Sequence, residues 1–190
     1  MASVGFKQII FAEYDKDGAV KETFEVNSEK GGAIEAKITG LGSTLNTTWA
    51  SDGPFHVFAQ GTSSPKLSLG IADLYPELYQ SMTGAEVNEQ GFTLIGNNTR
   101  PPYMGVVLVT ADKDGNELFI GLTKGKFTAP DEELKTSEDK GAELQTDSVE
   151  GDFVARGSDG LVASKASTAK EGATLETFKD FIFGAAAAGK

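Results

Sequence analysis

"YMGVVLVTADKDGNELFIGLTKGKF", residues 103–127, is the stretch on which the fold turns. Two runs rich in β-branched and aromatic residues, 103–110 and 117–127, flank Ala111-Asp112-Lys113-Asp114-Gly115-Asn116, a turn sequence with a glycine available for positive φ. That pattern predicts a β-hairpin. The same design occurs earlier, where FKQIIFAE (6–13) and VKETFEV (20–26) are joined by Tyr14-Asp15-Lys16-Asp17-Gly18. The two hairpins are alike in kind, with no fixed-period repeat.

Between them, AIEAKITG (33–40) sets Ile34, Ala36 and Ile38 against Glu35, Lys37 and Thr39, which reads as a strand with one face buried and one wet. KLSLGIA (66–72) does the same with Leu67, Leu69 and Ile71 inward. The intervening LGSTLNTTWASDGPFHVFAQGTSSP (41–65) mixes small polar residues with Trp49, Phe55, Val57 and Phe58. It is either a long hairpin or a loop carrying apolar contacts at its tip, and loops of that length are usually functional or partner-bound. Three further strands are expected at 142–149, 152–157 and 160–165.

Helix signals are few. YPELYQSM (75–82) has Pro76 in its first turn and Leu74, Leu78 and Met82 at helical spacing. ATLETFKDFIFG (173–184) has Thr174 as N-cap, Leu175, Phe178, Phe181 and Ile182 on one stripe and Gly184 as a stop. Phe178, Phe181 and Ile182 are therefore expected to pack this helix onto the sheet. The tail AAAAGK (185–190) is expected to be flexible. The whole predicts a mainly β chain, an antiparallel β sandwich or open barrel with a flanking α-helix, forming one domain over 1–184.

Composition narrows the function. The chain has 190 residues and a formal net charge of -11, with a pI near 4.6. Gripping a phosphate backbone needs clustered Lys and Arg, so a nucleic-acid-binding module is disfavoured. There is no cysteine, which excludes disulfides, thiolate zinc sites and cysteine nucleophiles. The start, MASVGFKQIIFAEYDKDG, has no basic region before its short apolar run, and no stretch approaches the roughly 20 apolar residues of a membrane helix. The expectation is a soluble protein made in the cytoplasm.

The chemical motifs reduce to ordinary structure. The two Asp-Lys-Asp-Gly turns resemble the start of a calcium loop, but glycine comes early and strands flank both copies, so plain turns are expected. GLTKGK (121–126) lacks the spacing, the hydroxyl residue and the following helix of a phosphate loop. Asn46-Thr47-Thr48 and Asn97-Asn98-Thr99 fit a glycosylation acceptor but read as polar turns. His56 is the only histidine, so no His-His metal pair exists. No acid sits in an apolar setting that would raise its pKa for catalysis. No enzyme, cofactor or metal is expected.

Residues 129–155, APDEELKTSEDKGAELQTDSVEGDFVA, carry nine carboxylates against Lys135 and Lys140. Taken in order, the hairpins, the strand-to-helix step LSLGIADLYPELYQSM (67–82), the run KGKFTAPDEELKTSEDKGAELQTDSVEGDFVA (124–155) and the closing ATLETFKDFIFG resemble the major tail protein of long, non-contractile-tailed phages of Gram-positive bacteria. The resemblance spans about residues 4–184, and the segment 84–102 has no counterpart in it.

The resemblance implies a structural virion protein of the tail, assembled in the host cytoplasm as hexameric rings that stack into a hollow tube. Its partners would be further copies of itself, the tape measure protein and the tail terminator and distal tail proteins. DNA would pass through the lumen without specific binding, and no membrane is involved. Carboxylates facing a narrow channel repel phosphates, so Glu35, Glu143 and Asp147, on the wet faces of their expected strands, are the candidate lumen-facing acids. Trp49, Phe55 and Phe58 are the candidates for ring stacking. A non-catalytic ligand-binding or adhesive β sandwich is the alternative, and an acidic hydrolase stands third.

Overall fold

The structure is a computed structural model that describes residues 3–50, 52–131 and 146–184, and along most of 44–60 it describes the course of the backbone. The elements in order are β1 (Ser3–Tyr14), β2 (Val20–Val26), β3 (Ala33–Thr39), β4 (Thr44–Ala50), β5 (Gly53–Gln60), β6 (Lys66–Ile71), α1 (Pro76–Thr83), β7 (Glu86–Val87), β8 (Thr93–Leu94), β9 (Met104–Asp112), β10 (Glu117–Phe127), β11 (Asp147–Phe153), β12 (Ala163–Ser167) and α2 (Leu175–Phe183). Eight strands form one antiparallel sheet in the order β2-β1-β9-β10-β11-β6-β3, with β12 alongside the first half of β10. The sheet does not close into a barrel, since β2 and β3 remain its edges. This is the open, mainly β architecture expected from the sequence, with two helices added.

Both hairpins form where the turn sequences place them, and the same device closes each. Asp15 Oδ1 accepts from the amides of Asp17 and Ala19, and Asp112 Oδ1 from those of Asp114 and Asn116, all at 2.9 Å. Turn carboxylates bound to their own backbone are the usual role of Asp in such loops. The Asn116 side chain, donating to Asp112 Oδ2 at 3.0 Å, is the largest of the effects that hold the Asp112 carboxyl below its ordinary pKa.

The apolar runs of β1 and β9 are continuous because both faces of these strands are covered. Ile9 and Phe11 turn inward with Met104, Val106, Leu108 and Leu122, against Leu67, Leu69, Ile71 and Val149 of the curling half of the sheet and Leu78 and Met82 of α1. Ile10 and Ala12 turn the other way with Val107, Val109 and Phe119, and α2 covers them with Phe178, Ile182 and Phe183. The β1–β9–β10 layer is therefore the middle of the molecule.

Three differences from expectation have identifiable causes. A single strand, β11, runs through the gap left between the expected strands at 142–149 and 152–157, while 142–145 lies outside the described residues. Gly151 at its centre is there for close packing, since a Cβ would come within 2.8 Å of the Phe127 ring, which meets Phe153 edge-on at 5.8 Å. The strand expected at 160–165 begins later, at Ala163. On β3 a bulge between Ala33 and Glu35 takes Ile34 out of the expected alternation and leaves it 49% exposed, while Ala33 and Ile38 pack against the core. The tail 185–190 also lies outside the described residues.

The short helices hold through packing, since isolated helices of eight or nine residues are unstable in water. On α2 each of Phe178, Ile182 and Phe183 contributes roughly 1.5–3 kcal/mol by burial. Thr174 is the N-cap as expected, accepting from the Thr177 amide in a capping box that adds about 1 kcal/mol. Phe181, expected on the packed stripe, is 52% exposed, and Phe183 is buried instead. At 3.6 residues per turn Phe181 falls about 60° outside the arc running from Phe178 through Ile182 to Phe183.

Candidate functional site

The segment between β3 and β6 is a hairpin arm. β4 and β5 pair with each other from Thr44↔Gln60 to Ala50↔Gly53 and, among the described residues, with no other strand. The arm leaves the sheet at Gly40 and returns at the buried Pro65, and the Ser63 amide ties its base by donating to Gly40 O and Gly42 O. At its tip Asp52 takes the left-handed conformation, with φ 60°. In register, Trp49 stands opposite Pro54 and Phe58 opposite Asn46, with Phe55 at the bulge beside Trp49. His56 stands opposite Thr48. From residue 38 to 65 the sequence has one formal charge, Asp52, in a chain where 45 residues are charged.

The three candidate acids fall in different places. Glu35 is exposed on the outward face of β3, with its side chain lying over Gly70 of β6. Asp147 shares the side of β11 that carries Val149 and Phe153, is half-buried, and accepts from the Leu74 amide at 3.0 Å. This carboxylate fixes the loop leading into α1. Glu143 lies outside the described residues.

On the outward face shared by the end of β10, β11, β6 and β3, Glu35, Glu150 and Asp152 stand with Lys37, Lys66 and Lys126. Lys66 and Asp152 form an ion pair at 3.1 Å. Lys124, two residues before Lys126 and over the same Tyr103 ring, lies on this side too, so the described part of this face has no acidic excess. The acidic excess appears instead beside the β2 edge, where Glu22, Glu25, Glu29 and Glu77 line a groove of about 500 Å³. Within it Lys30 lies over the Tyr75 ring at 3.8 Å, a cation–π contact. Among the described residues no group of three His, Asp or Glu side chains is placed to hold a metal ion.

The remaining well-built polar centre anchors α2. Arg156 Nη1 donates to the carbonyls of Phe181, Ile182 and Gly184 at 3.1–3.3 Å, satisfying the open end of the helix. Its Nη2 pairs with Asp159 at 2.6 Å, and that hydrogen bond is the main reason the Asp159 carboxyl is held down to about 2. Tyr14, donating to Thr123 O at 2.9 Å, is pushed up to about 12 by burial, with Arg156 opposing the shift.

Sequence reading missed the β7–β8 hairpin within 84–102. The signal present was Asn88-Glu89-Gln90-Gly91: Asn88 Oδ1 accepts from the Gln90 and Phe92 amides at 3.0 and 2.8 Å, a turn hidden by the shortness of the two flanking strands.

Fold and surfaces together define a β-sheet structural protein whose distinctive features are projections and open edges. The chain belongs to the phage tail tube protein family, whose model matches residues 1–150. No curated protein gives a significant match. Membership makes it a non-enzymatic structural component of the virion that self-assembles into the tail tube together with other tail proteins. No helix among the described residues is long and apolar enough to cross a membrane.

Proposed function

We propose that the protein forms hexameric rings that stack into the hollow tube of a long, non-contractile tail, through which DNA is delivered. The observation that carries this reading is the β4–β5 arm: a hairpin paired only with itself among the described residues, from a nearly charge-free stretch of a strongly acidic chain. Two copies of a chain with net charge -11 repel, and charged residues are depleted at the centre of interfaces, so contacts between copies belong where charge is sparse. In this reading Trp49, Phe55 and Phe58 on the arm carry ring-to-ring contact. The open edges β2 and β3 carry contacts within the ring, where pairing would remove the exposed edges of the free subunit.

Of the three candidate acids, Glu35 is the best suited to face the passing DNA, because its carboxylate is exposed and forms no ion pair among the described residues. Asp147 contributes less, with one oxygen committed to Leu74. Glu143 belongs to the same proposal. Tape measure, terminator and distal tail proteins are the partners at the tube's axis and ends.

The test is negative-stain electron microscopy over a concentration series, with solution mass measured in parallel. Six-fold rings or tubes are the expected result. A particle that stays monomeric at every concentration, even when seeded with preformed tail tips, would count against the reading.

A further inference from the structure

Tyr103, at the lead-in to β9, is 41% exposed, and two lysines of β10 converge on its ring. Lys124 Nζ lies 4.3 Å and Lys126 Nζ 4.6 Å from the ring centroid. The two ammonium groups can be no further apart than the sum of those distances, and at such range like charges repel. The ring attracts both cations without neutralising either.

What the pair lacks is an acid. Asp152 stands opposite Lys126 in register, but its carboxylate pairs with Lys66 at 3.1 Å. Glu150, the next acid along β11, stands opposite Ser68. Beside Lys124 the chain presents Val154, 51% exposed, whose amide donates to Lys124 O. Neither lysine forms an ion pair among the described residues, although the chain has 28 acids against 17 bases. Two cations held together without a counter-charge make a site for an anion. As alternate residues of one strand, Lys124 and Lys126 leave the backbone roughly 6.7 Å apart, on the scale of neighbouring phosphates along a nucleic-acid strand. They also share the outward face on which Glu35 is placed toward the channel in the reading above.

We infer that Lys124 and Lys126, gathered on Tyr103, form a contact for the phosphate backbone of DNA on the channel wall. The contact reads no sequence. Two cations in a chain of net charge -11 are far fewer than gripping a duplex needs, and their attraction reaches only about a Debye length, near 8 Å. Each contact therefore slows the passing strand and does not hold it. The inference rests on the tube reading above and adds to it an attractive point on a wall where Glu35 repels.

The test measures DNA release from virions carrying Lys124→Gln/Lys126→Gln, at low and at fourfold higher salt. The substitutions lie outside the core, so the melting temperature and tube assembly should match the parent's. With two phosphate contacts, a fourfold rise in salt weakens the attraction by about tenfold. The variant should therefore release DNA several-fold faster than the parent at low salt and at the same rate at high salt. Equal release at low salt overturns the inference and leaves the tube reading intact. Failure of the parent chain itself to form tubes overturns both, and it is recognised because it occurs without any substitution. A second readout needs no variant and decides the matter if the double variant yields no virions. In parent virions, Lys124 and Lys126 should acetylate several-fold more slowly while release is arrested with DNA in the tube than after the tube has emptied. Equal labelling in the two states, whether both are open or both protected by an acidic protein surface, means that DNA does not meet these lysines, and the inference fails.

Discussion

Gly121 of β10 lies directly beneath Ile182 of α2, so that a methyl group on this glycine would overlap the Ile182 side chain and come within 3.1 Å of the Phe178 ring. The helix therefore sits closer to the sheet than any side chain at this position permits. Arg156 closes the same contact from the far end by binding the last carbonyls of α2. Sheet and helix form one packed unit even though the matched family region ends at residue 150.

Gly121→Val should destabilise the protein by about 1–3 kcal/mol, the usual cost of overpacking, and should expose α2 to limited proteolysis. Gly157→Ala, at a position with open space around it, should be neutral. Urea denaturation of the two variants checks the contrast. Equal stability would mean that α2 does not rest on β10.

Tyr14 provides an alkaline signature. Its pKa is pushed up from 10.0 to about 12 by burial, so the folded state favours the neutral phenol. The resulting stability is fully present below pH 10 and is lost as pH rises through 12. Ultraviolet titration should show one tyrosine ionising near pH 12, absent in Tyr14→Phe. That variant should also flatten the fall in stability between pH 10 and 12.

The sequence made the two long hairpins, β6, both helices and the Thr174 cap legible, because each depends on local pattern: alternation, turn chemistry or capping. What escaped was set by tertiary contact. Gly151 looks like a strand break and is instead a seat for Phe127, which no local rule can show. Phe181 and Phe183 differ in burial only through the direction from which α2 meets Gly121. Asp147 alternates correctly within its strand, but its role depends on Leu74, 73 residues away. The arm was visible as a stretch needing explanation, and its pairing was one of two readings left open. Surfaces between copies are harder still, since exposure gains meaning only once the core is known.

Glu13 and Lys21 form an asymmetric pair. The Glu13 side chain is 10% exposed and receives hydrogen bonds from Lys21 Nζ at 2.6 Å and Ser81 Oγ at 2.8 Å, while Lys21 is 60% exposed. Lys21→Met strands a nearly buried carboxylate and should cost about 1–3 kcal/mol. Glu13→Gln keeps an oxygen for Ser81 and frees a lysine that water can solvate, so it should cost less than about 1 kcal/mol. Urea denaturation of both single variants and the double variant checks this, with the double variant expected to lie close to Glu13→Gln.

Substituting the arm should separate folding from stacking. β4 and β5 pair with each other and, among the described residues, with no other strand, so Trp49→Ala/Phe58→Ala should leave the melting temperature within a degree or two. The same variant should form fewer stacked tubes, with isolated rings in their place under the electron microscope. A large fall in melting temperature would instead place these residues in the fold.

Glu35 and Asp147 make opposite predictions although both are strand carboxylates in the proposed channel. Glu35 is exposed over Gly70, and replacing it by Lys leaves the core untouched while placing a cation on a face already holding Lys37, Lys66 and Lys126. Each cation facing DNA adds phosphate attraction that weakens with salt, and the Debye length near 8 Å restricts the effect to groups at the wall. Glu35→Lys should therefore leave subunit stability and tube assembly unchanged and slow DNA delivery, more at low ionic strength than at high. Asp147→Lys removes the acceptor of the Leu74 amide and puts an ammonium beside the α1 lead-in, so it should lower stability by about 1–3 kcal/mol before any effect on DNA arises. Thermal melts of the two subunits, set beside DNA release from virions carrying each variant, check both halves. Normal release from Glu35→Lys virions at every salt concentration would remove this residue from the channel wall.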